Sequence, residues 1–338
     1  MRYQGVMRKL DNLFGPVVER VDMEKQVAIQ RAWRDNGGAR TRPAMLAIAG
    51  DSAAGKTTLT KGLVEALGHE ASTSVCTDHY HRYDREERKG LPFTPLHPDC
   101  NYVEIMEQHL QLLALGQPIL QPIYHHTDGT LGRPVLVEPH DNVIIEGLIP
   151  IHSKLSRACF DVSVYLDPPE PIRYAWKIKR DTTKRGYTEE QVRADLEKRE
   201  PESAEFIRPQ RAHADIVVQF APIAERGETV DDDLSATLLL RPTAPHPDLA
   251  SVLTDDVHEA IHLKLSRDSD GKPCDAVHIH SYADREMTRQ VEEAIWKQLN
   301  VDEPLPESLG QIEPGKRSEP LAMTQLILLY HLIQARQA

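Results

Sequence analysis

The chain has 338 residues, of which 40% are hydrophobic and 27% are charged, and its formal net charge is −12. A chain of this length can bury at least one full hydrophobic core, so we expect a globular protein. The negative balance disfavours general nucleic-acid binding, because the surface as a whole repels a phosphate backbone. An anionic ligand must therefore be bound by a local group of cations.

Membrane and disulfide-rich classes are also disfavoured. The N-terminal residues lack a basic segment followed by an apolar one, and the apolar run Leu326–Leu329 is far shorter than the roughly 20 residues of a membrane span. The four cysteines show neither metal-ligand nor C-x-x-C spacing, which indicates reduced thiols. We therefore expect a cytoplasmic protein with no membrane partner.

Residues 1–43 are predicted to form a helical extension that breaks at Asn36–Gly38 and at Pro43. From 44 to 220, short apolar runs alternate with longer amphipathic segments. The predicted strands are Met45–Ala49, Ser72–Thr77, Val143–Ile145, Val162–Leu166 and Ile216–Phe220. This alternation predicts an α/β fold, in which a mainly parallel sheet is flanked by helices.

Residues 221–338 have a different character and predict a smaller α+β C-terminal portion of unknown role. The predicted strands are Thr237–Leu240, Ile261–Leu265 and Ala276–Ile279. Two helices are expected near Glu286–Leu299 and Ala322–Gln337.

A phosphate-binding loop is predicted directly after the first strand. Residues 50–57 read G-D-S-A-A-G-K-T, which fits G-x-x-x-x-G-K-[ST] and precedes the predicted helix Leu59–Leu67. The strand before and the helix after disfavour the alternative, a chance glycine-rich turn. Backbone N–H groups and Lys56 would bind phosphate oxygens, and the Thr57 hydroxyl would hold Mg²⁺. The predicted nucleotide-binding residues are Gly50, Asp51, Ser52, Ala53, Ala54, Gly55, Lys56, Thr57 and Thr58.

Two carboxylates are predicted to complete the reaction centre. Glu146 ends the strand Val143–Ile145, where a carboxylate can lie beside the metal, although a strand-ending glutamate in water is the alternative. Asp78 follows the strand Ser72–Thr77 and is placed to accept a proton from an acceptor hydroxyl. His81 and Arg85, in the same polar segment, could bind a phosphate already on the acceptor. The alternative for this segment is a polar surface loop.

A second group of charges lies at residues 177–185. If this segment is helical, one face carries Lys177, Arg180, Asp181, Lys184 and Arg185. Four cations on one face are unfavourable unless an anion binds there, although a solvated helix face is the simpler alternative. Arg180 and Arg185 are the strongest candidates, since planar guanidinium groups suit phosphate.

From about Ala44 to Phe220 the chain resembles phosphoribulokinases, within the wider phosphoribulokinase and uridine kinase family. The resemblance covers roughly half of the chain and is greatest to the plant and cyanobacterial type. It rests on Gly50–Thr58, Thr77–His81, Gln121–His126, Ile144–Leu148, Tyr165–Asp167, Ala175–Asp181 and Pro209–Asp215.

This resemblance implies an ATP-dependent phosphotransferase with an alcohol acceptor. It would convert ribulose 5-phosphate to ribulose 1,5-bisphosphate, a reaction used in carbon fixation, with Mg²⁺ as cofactor. It implies that Asp78 is the base and that Glu146 lies near the metal, with Lys56 and Arg180 also catalytic. The predicted substrate-binding residues are His81, Arg85, Tyr124, His126, Lys177, Asp181 and Arg185.

The sequence also departs from the plant-type pattern. Cys76 is retained, but Ala54 stands where plant-type enzymes carry the first regulatory cysteine, so switching through that thiol pair is predicted to be absent. His79 replaces the usual second acidic residue. Residues 1–43 and those after 220 do not resemble the plant enzyme, which leaves a homodimer open.

Two other functions remain as alternatives. A uridine or cytidine kinase, or a kinase for another small sugar phosphate, would share the phosphate loop, but a neutral nucleoside would not need Arg85 and Arg185. A nucleotide-binding regulator without catalysis is disfavoured, because the loop lysine and the two carboxylates are intact.

Overall fold

A computed structural model of the protein describes residues 42–223, 226–229, 233–253, 260–313 and 315–337. The predicted helical extension, residues 1–43, lies outside the described residues except for its last two positions. Among the residues described, none of the helices combines the length and the apolar character that a membrane crossing requires.

The strands of the described residues agree with those predicted and add two pairs. They are β1 (Ala44–Gly50), β2 (Ser72–Cys76), β3 (Ile119–Tyr124), β4 (Leu131–Val137), β5 (Asn142–Gly147), β6 (Val162–Leu166), β7 (Ile216–Ala221), β8 (Ser235–Leu240), β9 (Ile261–Arg267), β10 (Pro273–Ile279), β11 (Gln311–Glu313) and β12 (Lys316–Arg317).

The helices are α1 (Lys56–Leu67), α2 (Val103–Ala114), α3 (Lys154–Arg157), α4 (Glu170–Lys184), α5 (Glu189–Glu202), α6 (Leu249–Val252), α7 (Arg285–Gln298) and α8 (Glu319–Gln337). The helix predicted after the phosphate loop and the two predicted near the C-terminus correspond to α1, α7 and α8.

Within the described residues, eight strands form one sheet in the order β2-β5-β1-β6-β7-β8-β10-β9. The first five strands in this order, from β2 to β7, run parallel to one another. The remaining pairs, β7 with β8, β8 with β10 and β10 with β9, are antiparallel. Every residue of β1 is buried, as expected for a central parallel strand with both faces covered. The predicted α/β fold is confirmed.

The sheet is continuous across residue 220, where the sequence predicts a boundary. β8 pairs with β7 in the register Ile216↔Leu240, so residues after 220 extend the sheet. Helix α8 is buried along residues 320–332 and packs against β1, β8, β10, α1 and α7. A Cβ on Gly62 would lie 1.9 Å from the Gln325 amide nitrogen, so glycine lets α8 approach α1 closely. The C-terminal helix therefore supports the helix that follows the phosphate loop.

The hairpin of β3 and β4 is separate from the main sheet. Its register shifts between Gln121 and Ile123, next to Pro122, which cannot donate a ladder hydrogen bond. The hairpin brings Tyr124 and the following turn towards the carboxyl ends of the parallel strands, because Tyr124 N donates to His79 Nδ1.

Candidate active site

The phosphate loop connects β1 to α1 and has a backbone suited to anion binding. Ala53 and Gly55 have left-handed φ values of 66° and 97°, and such alternation turns successive N–H groups towards one point. Lys56 Nζ donates to the carbonyl oxygens of Gly50 and Asp51 at 2.9 and 2.8 Å, so the ammonium group lies over the loop. A left-handed alanine is strained, which is typical of a functional turn.

The remaining loop residues divide into supporting and accessible groups. Ala54 is fully buried beneath the loop, whereas Thr57 and Thr58 are exposed at the start of α1. Ser52 N donates to the carboxylate of Asp51 at 2.6 Å. The side chain of Asp51 is therefore engaged within the protein, and its predicted role in nucleotide binding would be indirect.

Thr57 and Glu146 form a pair of oxygen groups beside the loop. Thr57 Oγ1 donates to Glu146 Oε1 at 3.0 Å and lies 3.2 Å from Oε2. Burial raises the pKa of Glu146, against the opposing effects of Lys56 and of the Thr57 hydrogen bond. Magnesium is usually held by one or two protein oxygens together with substrate phosphates. The donor chemistry of this pair fits Mg²⁺, and its role as the metal site stays a prediction.

Asp78 lies on the neighbouring strand end, in the short helical turn Thr77–Tyr80 after β2. β2 and β5 pair with Cys76 opposite Glu146, which brings both carboxylates to the same edge of the sheet. Burial opposes ionisation of Asp78, but its pKa is lowered by the His81 and His126 imidazoles, which carry a proton only in the acidic range where Asp78 titrates, and by the cations Lys56 and Arg185. Asp78 is therefore a carboxylate at neutral pH and can accept a proton.

Two histidines lie near this carboxylate, and Tyr124 packs between them. His126 Nε2 lies 3.8 Å from Asp78 Oδ2, and the rings of His81 and His126 meet the Tyr124 ring edge-on at 4.8 and 5.1 Å. Burial lowers the pKa of His81 to about 4, and its Nδ1 lies 2.7 Å from Asn101 Oδ1. At neutral pH His81 is therefore an uncharged hydrogen-bonding group and not a cation.

Arg85 and Arg88 hold the hairpin against this segment. Arg85 donates to His126 O at 2.7 Å, whereas Arg88 donates to the Tyr124 hydroxyl and lies 4.9 Å from its ring centre. Arg88 was missed by the sequence analysis. Arg88 follows Arg85 by three residues, and residues at i and i+3 lie on one side of a helical turn. This spacing could have indicated that the two arginines act on the same region.

The cations of α4 are partly neutralised by buried carboxylates. Asp181 accepts from Lys177 at 2.9 Å and from Arg180 at 2.7 Å, and lies 3.5 Å from Arg185. Despite burial, the hydrogen bonds from Arg180 and Lys177 lower the pKa of Asp181 to about 2. Lys177 also donates to Asp195 at 3.0 Å, a partner that the sequence did not indicate. Lys177 and Asp181 thus face inward, and their direct contact with substrate stays a prediction.

Arg180 and Arg185 are more accessible than those two residues. Their side chains are 30% and 33% exposed. The Nη2 of Arg180 is buried and has no hydrogen-bond partner among the described residues. This guanidinium group therefore has a donor left for an anion, which supports the choice of Arg180 from the sequence.

Cys76 lies between these groups. Burial and the nearby charges of Asp78 and Glu146 raise the pKa of its thiol. A thiol held in its neutral form is a poor nucleophile for disulfide exchange. The absence of switching through the thiol pair stays a prediction from Ala54.

Comparison with known proteins agrees with this geometry. Residues 45–226 match the model of the phosphoribulokinase / uridine kinase family. The chain belongs to this family. It is 40% identical in sequence to the phosphoribulokinase of Synechocystis sp. over 181 residues. The aligned region covers 54% of the length of this chain and 54% of the length of the relative. It is 33% identical to the chloroplastic enzyme of Spinacia oleracea, over 56% of this chain and 50% of the relative.

The chain spans about half the length of these two relatives. A uridine kinase of Anoxybacillus flavithermus is 30% identical over 53% of this chain and 87% of the relative. The structure of a Rhodobacter spheroides phosphoribulokinase superposes with a TM-score of 0.58 at 14% identity, covering 88% of this chain and all of the other. That likeness supports the fold, whereas the resemblance inferred from the sequence is confirmed by the family match.

Proposed function

We propose that the protein is a kinase that transfers the γ-phosphate of Mg-ATP to the terminal hydroxyl of ribulose 5-phosphate, giving ribulose 1,5-bisphosphate. The observation that carries the proposal is the position of Asp78, an ionised carboxylate at the same sheet edge as Glu146 and the phosphate loop. Phosphoryl transfer to a hydroxyl needs such an acceptor for its proton beside a nucleotide site.

In this mechanism Asp78 accepts the hydroxyl proton while the new O–P bond forms and ADP departs. Lys56 and Arg180 stabilise the negative charge of the transferring group, since both present N–H donors to this region. Thr57 and Glu146 would hold Mg²⁺, which when bound neutralises phosphate charge. Arg85 and Arg185 would bind the phosphate already on the sugar, and His81, Tyr124 and His126 would orient the acceptor.

A uridine or cytidine kinase is the second candidate. Its support is the Anoxybacillus relative, most of whose length is matched. The arginines of α4 favour an anionic acceptor over a neutral nucleoside, because Arg180 and Arg185 share the carboxylate of Asp181 with Lys177, so their positive charge is only partly compensated within the protein. A regulator without catalysis is disfavoured by the intact Lys56, Asp78 and Glu146.

The test is a coupled assay of ADP release with Mg-ATP and, in parallel, ribulose 5-phosphate, uridine, cytidine and other pentose phosphates. Turnover far faster with ribulose 5-phosphate supports the proposal. Preference for uridine would assign the protein to the other branch of the family, and no turnover with any acceptor would favour the regulator.

A further inference from the structure

The phosphate loop contains an acidic residue, Asp51, whose charge opposes the binding of a triphosphate. Asp51 is buried, and its carboxylate accepts from Ser52 N, one of the N–H groups of the loop itself. Its own carbonyl oxygen accepts from Lys56 Nζ. Because Coulomb repulsion is strong in a poorly solvated site, this charge must be compensated for an anion to bind nearby.

Arg173 is placed to compensate it. Arg173 Nη1 lies 3.3 Å from Asp51 Oδ2, and both side chains are 9% exposed. Ser203 Oγ donates to the same carboxylate oxygen. Ser203 begins the single π-helical turn Ser203–Ile207 that follows α5 and its internal Pro201, and such turns are frequent at functional sites.

Solvent and the other nearby cation, Arg208, compensate the charge of Asp51 less than Arg173 does. The cavity bounded by Asp51, Arg173, Lys177 and Ser203 has a volume of about 10 Å³, room for about one water molecule, so solvent screens the carboxylate only weakly. Arg208 also interacts with Asp51, but it is already paired with Glu200 at 2.6 Å. Arg173 is therefore the main counter-charge.

We propose that Arg173 is a positioning residue of the nucleotide site, which cancels the charge of Asp51 and so lets the phosphate loop accept a triphosphate. Arg173 belongs to α4, the helix that carries Arg180. The same ion pair therefore fixes the orientation of that helix relative to the loop. This inference rests on the proposed function only in that the loop binds Mg-ATP.

The experiment measures the dissociation constant of Mg-ATP by titration calorimetry without an acceptor. The variants are Arg173→Met, Arg173→Lys, Asp51→Asn and the double variant Asp51→Asn/Arg173→Met. Arg173→Met leaves an uncompensated anion in the loop and is expected to weaken binding by about tenfold or more. The double variant removes that anion, so it is expected to recover most of the lost affinity. Arg193→Ala is the matched control, because Arg193 forms an exposed pair with Glu189 on α5.

A double variant that binds Mg-ATP as weakly as Arg173→Met overturns the proposal, since a purely structural role is not rescued by a second substitution. Arg173→Lys keeps the positive charge, so it should bind Mg-ATP more tightly than Arg173→Met does. Equally weak binding of Mg-ATP by these two variants also overturns the proposal. If thermal unfolding shows that Arg173→Met does not fold, the affinity of Asp51→Asn for Mg-ATP tests the proposal instead. Binding about tenfold weaker than that of the wild type would contradict a repulsive role for Asp51. A wild-type protein that binds Mg-ATP but phosphorylates no acceptor refutes the proposed reaction and leaves this comparison intact.

Discussion

The Thr57 hydroxyl lies 3.0 Å from a carboxylate oxygen of Glu146, although 89 residues separate the two along the chain. β1 and β5 are parallel neighbours, so the loop that follows β1 meets the end of β5. Brought together in this way, two oxygen ligands from distant segments form the candidate magnesium site.

Glu146→Gln tests this site. An amide is a weaker magnesium ligand than a carboxylate, so we expect the Mg²⁺ concentration for half-maximal ADP release to rise by about tenfold at constant ATP. The control is Glu65→Gln, since Glu65 is an exposed residue on α1. An unchanged magnesium requirement in Glu146→Gln would contradict the assignment.

Asp78→Asn tests the proton acceptor. The amide cannot accept the hydroxyl proton, so we expect kcat with ribulose 5-phosphate to fall by about a thousandfold while the affinity for Mg-ATP changes little. Asp84→Asn is the matched control, because Asp84 belongs to the same polar segment, but its carboxylate accepts from Glu87 N at the protein surface. Near-normal turnover by Asp78→Asn would remove Asp78 from the mechanism.

Arg85→Ala tests recognition of the sugar phosphate. We expect KM for ribulose 5-phosphate to rise by about tenfold, with KM for ATP unchanged, because a charge-assisted contact to the acceptor is lost. Some loss of kcat should accompany it, since Arg85 also holds His126 through its carbonyl oxygen. Arg82→Ala is the control: Arg82 pairs with Glu104 and covers Tyr102. Equal KM increases for both substrates would argue for general loosening of the site.

His331 makes stability depend on pH. Burial, together with the nearby His246, lowers the pKa of His331 to about 3, whereas an unfolded histidine titrates near 6.5. The unfolded state therefore binds a proton first, and stability decreases as the pH falls from about 6.5 towards 3. Between pH 7 and pH 5, the wild type should lose about 2 kcal/mol more of its unfolding free energy than His331→Gln.

Urea unfolding at the two pH values measures this difference. His69→Gln serves as the control, because His69 is exposed on the protein surface. Equal losses in the wild type and in His331→Gln would show that another group dominates acid destabilisation.

Much of the site could be predicted because its signals are local. The apolar run of β1, the loop from Gly50 to Thr57 and the strand ending at Glu146 each lie within a few consecutive residues. Their chemistry follows from residue type and spacing alone. The β3–β4 hairpin was not predicted, because Pro122 interrupts the first strand and both strands lie outside the main sheet.

By itself the sequence determined the parallel sheet, the phosphate loop, the carboxylates Asp78 and Glu146 and the helical cluster of cations, since these depend on periodicity and short motifs. Only the tertiary structure decided which charged side chains are neutralised by a partner. Asp195 pairs with Lys177, and Arg173 pairs with Asp51. The tertiary structure also decided that α8 is buried along residues 320–332 and packs beside α1. Such partners come from segments far apart in the chain, and burial, not residue type, sets which charge is left free for a ligand.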